Sequence, residues 1–174
     1  MYAGHFAAAL ALKAAKPETP TWALILAGGA LDVAFGALVI LGVEGAMPDY
    51  KVSHRLLLPW SHSLLSALAI GLVFAGMFYK RGLSVMAVLF AGVLSHWALD
   101  VLVHRPDVPL WPWGGPLLGF ADVFGSVSGW FETVAVVLFL AFYIYGAGTR
   151  STFGGRRLAA CLCIGVFWIM GLAT

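Results

Sequence analysis

Long apolar segments that carry almost no charge constrain the fold of this chain more than any other feature. Residues 21–43 contain a single ionisable side chain, Asp32. Apolar runs of about 18 residues or more are typical of membrane spans. Residues 85–93 and 134–141 are apolar on both faces and do not alternate as barrel strands do. Because backbone in lipid must satisfy its own hydrogen bonds, these segments are predicted to be helices.

The overall composition agrees with a membrane location. Hydrophobic residues make up 61% of the 174 positions and charged residues only 10%, whereas a soluble domain is roughly half apolar and about a quarter charged. The polar material is too scarce to cover a soluble surface. A formal net charge of +2 without a basic tract gives no support for a nucleic-acid partner. Residues 1–174 are therefore predicted to form one integral membrane domain.

The pattern predicts an all-α, polytopic transmembrane bundle of about five spans, preceded by a short N-terminal helix over residues 2–15. At 1.5 Å per residue that first helix is too short to cross a hydrocarbon core of about 30 Å. The connector at 105–127 is rich in Pro, Gly and Trp and is expected to lie in the membrane interface, where Trp is favoured. The predicted spans are residues 21–43, 62–79, 83–104, 128–145 and 158–173.

The basic residues predict the orientation of these spans. Seven of them fall in one set of loops and three in the other, and the side richer in Lys and Arg faces the cytoplasm. The connectors at 44–61 and 105–127 then face the extracytoplasmic side. The cytoplasmic set is Lys13, Lys16, Lys80, Arg81, Arg150, Arg156 and Arg157, and the opposite set is Lys51, Arg55 and Arg105.

Ionisable side chains inside spans are costly, so each one is a candidate functional residue. His96 and Asp100 are four residues apart and share one helical face, with His104 one turn further along. The predicted topology places the remaining groups in the same half of the membrane. They are Asp32 in the first span, His62 at the start of the second, Glu132 in the fourth and His5 in the short helix.

Imidazole nitrogen and carboxylate oxygen are suitable ligands for Zn²⁺ and other divalent first-row ions, without a thiolate. A bound divalent ion would also offset the cost of burying Asp32. The cofactor expected is a divalent metal ion, zinc first, with manganese or another transition metal as alternatives. Asp32 or Glu132 is the expected general base if it is not itself a metal ligand. The predicted ligands are His5, Asp32, His62, His96 and Asp100.

Each of these residues also has a structural explanation. His62, between two serines, could be a helix cap at the interface, and His96 with Asp100 could be a hydrogen-bonded packing pair. Asp32 could pair with a hydroxyl or a lysine, and His5 could lie among headgroups. Glu132 could hydrogen-bond to a metal ligand and fix its orientation without binding the ion itself.

With these residues in view, the chain resembles the YdjM-like family of bacterial inner-membrane proteins. The most specific match is Ser95-His96-Trp97-Ala98-Leu99-Asp100, with Leu110-Trp111-Pro112-Trp113 ten residues on. The other matching pieces are Gly4-His5-Phe6, Asp32, and His54-Arg55 followed by Trp60-Ser61-His62-Ser63.

Members of this family are generally described as membrane-bound metal-dependent hydrolases. The resemblance implies a multi-pass protein of the inner membrane and the same five metal ligands. It favours a hydrolase whose site opens toward the extracytoplasmic interface. The natural substrate there is a lipid or a lipid-linked ester or phosphoester, so membrane lipids are the expected partners.

Two other functions remain open at the level of sequence. A transporter or an ion or proton conduit would also carry intramembrane His and carboxylate groups. It would place a series of polar residues in the inner half of the spans as well, and the sequence shows no such series. Many transporters also show an internal repeat, which this sequence lacks. A structural membrane subunit would use the same polar network for helix packing alone and would bind no metal.

Overall fold

The computed structural model of the chain describes residues 2–45, 59–124, 128–146, 161 and 164–165. Within these ranges the protein is mostly helical, which confirms the all-α prediction. Two short strands, β1 (Val108–Pro109) and β2 (Leu117–Leu118), are the exception. The α-helices are α1 (Tyr2–Ala11), α2 (Thr21–Gly28), α3 (Ala30–Ile40), α4 (Leu64–Gly76), α5 (Leu83–Val103), α6 (Ala121–Phe124) and α7 (Ser128–Gly146).

Helix α5 is long and apolar enough to cross a membrane, and α2 with α3 meets the same criterion if the two are counted together. Helix α4 and the Trp130–Tyr145 part of α7 are shorter apolar helices. The predicted span at 158–173 lies outside the described residues except for 161 and 164–165. One or two spans are thus supported among the described residues, and the count of five stays a prediction.

The short N-terminal helix exists, and it lies in the centre of the bundle. Nearly all of α1 is buried, including Ala3, Ala7 and Leu10, and it packs most extensively against α7, then against α2 and α5. Helix α1 runs antiparallel to α5, because its start lies beside Asp100 while its end approaches Gly92. The first turn of α1 is therefore level with the C-terminal end of α5.

The predicted span over residues 21–43 is not one continuous helix. It breaks at Gly29, where α2 and α3 meet at an angle of 53°. Helix α1 lies tightly against the break, since a Cβ atom on Gly28 would be 2.9 Å from the carbonyl oxygen of His5. A Cβ on Gly29 would be 3.2 Å from the Phe6 ring. Two glycines at this point allow three helices to meet closely.

The connector after α5 folds back over the end of the bundle. Strands β1 and β2 pair antiparallel, and the hairpin is fixed to the helices by backbone bonds such as Leu65 N–H to the Leu110 carbonyl. Trp111 and Trp113, near its tip, are exposed. Exposed tryptophans at this end agree with the predicted position of the connector in the interface.

Candidate metal centre

The structure brings the five predicted ligands together at the end of the bundle covered by the hairpin. Two overlapping groups could each hold a metal ion, and within each group all donor atoms lie within 4.8 Å of one another. The two groups share His96. The first group is His5, His96 and Asp100, and the second is Asp32, His62 and His96.

Helix α5 supplies the two donors at the centre of the cluster. His96 and Asp100 are separated by one helical turn and point to the same side, as their spacing predicts. His96 Nε2 lies 3.3 Å from Asp100 Oδ2. Both side chains are almost fully buried, so neither can rely on water to solvate its polar atoms.

His5 reaches the cluster from the first turn of α1. Its Nε2 lies 3.1 Å from Asp100 Oδ1. The ring stacks on that of His96 with centroids 3.6 Å apart and an interplanar angle of 2°. His5 Nδ1 is buried without a hydrogen-bond partner among the described residues. The close approach of α1 to Gly28 fixes this position, and it places His5 in the buried cluster instead of among headgroups.

His62 lies two residues before α4, in irregular backbone. Its Nδ1 is 2.7 Å from the Ser61 hydroxyl, and its Nε2 is 3.6 Å from Asp32 Oδ1 and 3.8 Å from Asp100 Oδ2. Ser63 is the N-cap of α4, because its hydroxyl accepts a hydrogen bond from the Ser66 N–H. His62 is therefore not the helix cap.

Asp32 lies in the first turn of α3, directly after the break. Its Oδ1 is 3.7 Å from His96 Nε2. Its side chain is 34% exposed, whereas that of Asp100 is 4% exposed. The cluster is therefore closed around Asp100 and accessible on the side of Asp32.

The hydrogen bond between His96 and the Gly28 carbonyl determines which ring nitrogen keeps a lone pair for a metal ion. Nδ1 lies 2.7 Å from the carbonyl oxygen of Gly28, and a carbonyl can only accept, so Nδ1 carries a proton. The last carbonyls of a helix have no partner within that helix, and Gly28 is the last residue of α2. With Nδ1 protonated, Nε2 of neutral His96 presents a lone pair toward two carboxylates. A positive charge between Nε2 and the carboxylates relieves that repulsion. Either a metal ion or a second proton on the ring can supply this charge.

The distances in the cluster fit metal coordination better than a set of charge-assisted hydrogen bonds. The nitrogen–oxygen distances around Asp32 and Asp100 range from 3.1 to 3.8 Å, whereas charge-assisted hydrogen bonds are about 2.7–2.9 Å long. Two donors that are each about 2.0–2.1 Å from a tetrahedral zinc are roughly 3.3 Å apart. Two carboxylates among neutral imidazoles carry negative charge, which favours the binding of divalent cations. These residues therefore fit a divalent ion in donor type, spacing and charge.

Two supporting residues were missed from the sequence. Glu44 Oε1 accepts hydrogen bonds from the backbone N–H groups of Trp60, at 2.6 Å, and Ser61, at 3.0 Å. Ser61 in turn contacts His62. Groups behind a histidine ligand commonly fix its orientation. The contact spans 17 residues, and its only signal in the sequence is an acidic residue directly after an apolar run.

His104, one turn beyond Asp100, lies at the rim of the cluster. Its Nε2 is 3.6 Å from Asp100 Oδ1 and its Nδ1 is 3.3 Å from Asp107 Oδ1. His104 thus extends the line of donors on α5 toward the hairpin.

The remaining candidates lie away from these groups or outside the described residues. Glu132, in α7, is partly buried and belongs to neither candidate metal group among the described residues. Its role as general base stays a prediction. His54 and Arg55 lie outside the described residues.

The fold and the site define a class: a helical protein with apolar segments of membrane-spanning length and a buried His/Asp cluster suited to a metal ion. A family model described as YdjM inner membrane protein matches residues 2–173. The chain belongs to the YdjM inner membrane protein family, as its motifs predict. The searches of curated proteins and of solved structures found no match.

Proposed function

We propose that this protein is a metal-dependent hydrolase of the bacterial inner membrane, with the buried His/Asp cluster as its metal centre. The observation that carries the proposal is the hydrogen bond from His96 Nδ1 to the Gly28 carbonyl. It leaves Nε2 facing the carboxylates of Asp32 and Asp100. A metal ion held by these three residues would satisfy all the facing lone pairs together.

His5, Asp32, His62, His96 and Asp100 would supply the ligands of this metal centre. Their nitrogen and oxygen atoms favour zinc, with manganese or another first-row ion as alternatives. A divalent ion held by these residues would supply a bound water of lowered pKa and a positive charge that polarises a substrate oxygen. Asp32, the accessible carboxylate, would accept the proton if the ion were held by the other four residues. Glu132 is the second candidate for that role.

The substrate class follows from the surroundings of the accessible side. Val33 and Trp60, the neighbours in sequence of Asp32 and Ser61, are both exposed. The hairpin adds exposed Trp111 and Trp113 at the same end of the bundle. A polar reaction centre bordered by exposed apolar side chains suits a substrate that carries its own acyl chains. We therefore expect a lipid or lipid-linked ester or phosphoester, cleaved at the extracytoplasmic interface.

The test is hydrolysis by protein purified in detergent and reloaded with zinc or manganese. Substrates should include a phospholipid, a lipid monophosphate and an acylglycerol, with product release followed by mass spectrometry. We expect one of these to be cleaved by the native protein and not by His96→Ala. A protein that retains stoichiometric metal yet cleaves none of them would contradict the hydrolase function. A protein that binds no metal would leave a protonated hydrogen-bond network, as expected for a structural subunit.

A further inference from the structure

We infer that the cluster holds two divalent ions, bridged by the carboxylate of Asp100. The inference rests on the proposed metal centre and specifies how many ions it takes. Its evidence is the relative orientation of two imidazole rings, the position of each Asp100 oxygen, and the number of donor atoms.

The stacked rings of His5 and His96 exclude one shared ion. An imidazole binds a metal through a lone pair that lies in the plane of its ring. The two rings are parallel to within 2°, with centroids 3.6 Å apart. An ion in the plane of His5 is therefore out of the plane of His96, so two ions are needed for both rings to act as metal ligands. A separation close to that of the rings falls in the range of about 3.5–4 Å found in two-metal sites.

The carboxylate of Asp100 is oriented to join two such ions. Its Oδ1 is the oxygen nearer His5, at 3.1 Å. Its Oδ2 is the oxygen nearer His96, at 3.3 Å, and it is also 3.8 Å from His62 Nε2. One oxygen thus faces each ring of the stacked pair. Asp100 is almost fully buried, so its oxygens have these imidazoles as neighbours in place of bulk water.

The number of donors also favours two ions. A catalytic zinc ion commonly has three protein ligands and an open position, so five side chains are more donors than one such ion takes. His96 Nε2 has one lone pair and cannot serve both candidate groups at once. The groups can be filled together only if His96 belongs to one of them and Asp100 contributes one oxygen to each.

This division produces two metal sites that differ in their number of protein donors. One ion would be held by Asp32, His62, His96 and Asp100 Oδ2. The other would be held by His5 and Asp100 Oδ1, with His104 Nε2, 3.6 Å from that oxygen, as the nearest further donor. The second site has fewer protein donors, so it should bind its ion more weakly and exchange it more readily.

The experiment is a titration of the metal-free, detergent-purified protein with Mn²⁺, followed by equilibrium dialysis and electron paramagnetic resonance. We expect two ions per chain at saturation, with a spectrum that shows exchange coupling between them. His5→Ala should lower the stoichiometry from two to one and give the six-line spectrum of isolated Mn²⁺. His5→Gln provides the same comparison if the alanine variant does not fold. Ser95→Ala is the matched control, because its hydroxyl bonds to Gly92 within α5, and it should keep both ions.

Each outcome distinguishes this inference from the proposed function. One ion per chain in the native protein, unchanged in stoichiometry by His5→Ala, would overturn the two-ion inference and leave a mononuclear hydrolase intact. Two ions without exchange coupling would also overturn it, since Asp100 would not bridge them. Complete absence of Mn²⁺ and Zn²⁺ binding would overturn both.

Discussion

The donors of the cluster come from two kinds of backbone. Helix α5 is one unbroken helix of 21 residues and supplies His96 and Asp100 from consecutive turns. The opposite side is irregular: Asp32 follows the break at Gly29, and His62 precedes α4. On α5 the helix itself sets the spacing of the donors. On the irregular side, long-range contacts through Gly28, Ser61 and Glu44 must do so, and substitutions on the two sides should therefore have different effects.

The largest effect is expected on α5. Asp100→Ala removes the carboxylate that contacts His5, His62 and His96 together. Metal affinity should therefore fall by more than about 100-fold, which exceeds the loss typical for a residue that only hydrogen-bonds to a metal ligand. Elemental analysis of purified protein measures it. The control is Ser95→Ala, which should retain native metal content. Retention of native metal content by Asp100→Ala would show that α5 is not the centre of the site.

A substitution at the break should have the next largest effect. Gly28→Ala places a Cβ 2.9 Å from the His5 carbonyl oxygen and 3.1 Å from the Ala9 Cβ, which forces α1 outward and moves His5. We expect a free energy of unfolding lower by about 1–3 kcal/mol and metal affinity lower by about 10–100-fold. Thermal denaturation in detergent and metal titration measure the two effects.

The matched control for the break lies in the same pair of helices. A Cβ at Gly36 would meet no atom within 4 Å among the described residues, so Gly36→Ala should leave both the unfolding midpoint and the metal affinity near their native values. Equal effects from both glycine substitutions would show that the break has no special role in building the site.

A smaller effect is expected from the support of His62. Ser61→Ala removes the hydroxyl 2.7 Å from His62 Nδ1 but keeps the ring, so metal affinity should fall by about tenfold. Competition with a fluorescent chelator measures it. The control is Ser66→Ala, whose hydroxyl bonds to Ser63. Identical affinities for both serine variants would show that His62 keeps its orientation without Ser61.

The smallest effect on metal should come from packing remote from the cluster. A Cβ at Gly71 in α4 would lie 2.9 Å from the Phe90 ring, so Gly71→Ala should destabilise the α4–α5 contact by about 1 kcal/mol. Its metal stoichiometry should equal that of the native protein. Loss of metal in this variant would mean that the site depends on general bundle stability. Different effects of substitutions on α5 and on the irregular side could then not be attributed to the backbone that holds each donor.

The part of the site on α5, His96 and Asp100, could be predicted from sequence because residue spacing on a helix fixes which side chains share a face. Residues four apart on α5 must share a face, which places His96 beside Asp100. On the irregular side, sequence identifies Asp32 and His62 only as candidates, because an ionisable side chain in an apolar segment is unusual. The bounds of α5 also agree with the prediction to within one residue.

The irregular half depends on contacts that local pattern does not encode. Gly28 and Gly29 indicate close packing, but their sequence does not show that the helix breaks there or that the Gly28 carbonyl accepts a hydrogen bond from His96 Nδ1. The contact of Glu44 with Ser61 spans a connector whose path cannot be derived from local pattern. The two-ion arrangement likewise depends on the parallel stacking of rings from α1 and α5.

The central position of α1 has a consequence for how the protein is assembled. Helix α1 is synthesised before its most extensive packing partner, α7, which follows more than 100 residues later in the chain. Ten residues make a helix of about 15 Å, too short to insert alone across the bilayer. Contacts between such distant segments form late. His5 should therefore be the last of the donors to reach its place, so the site matures only after the chain behind it has been synthesised.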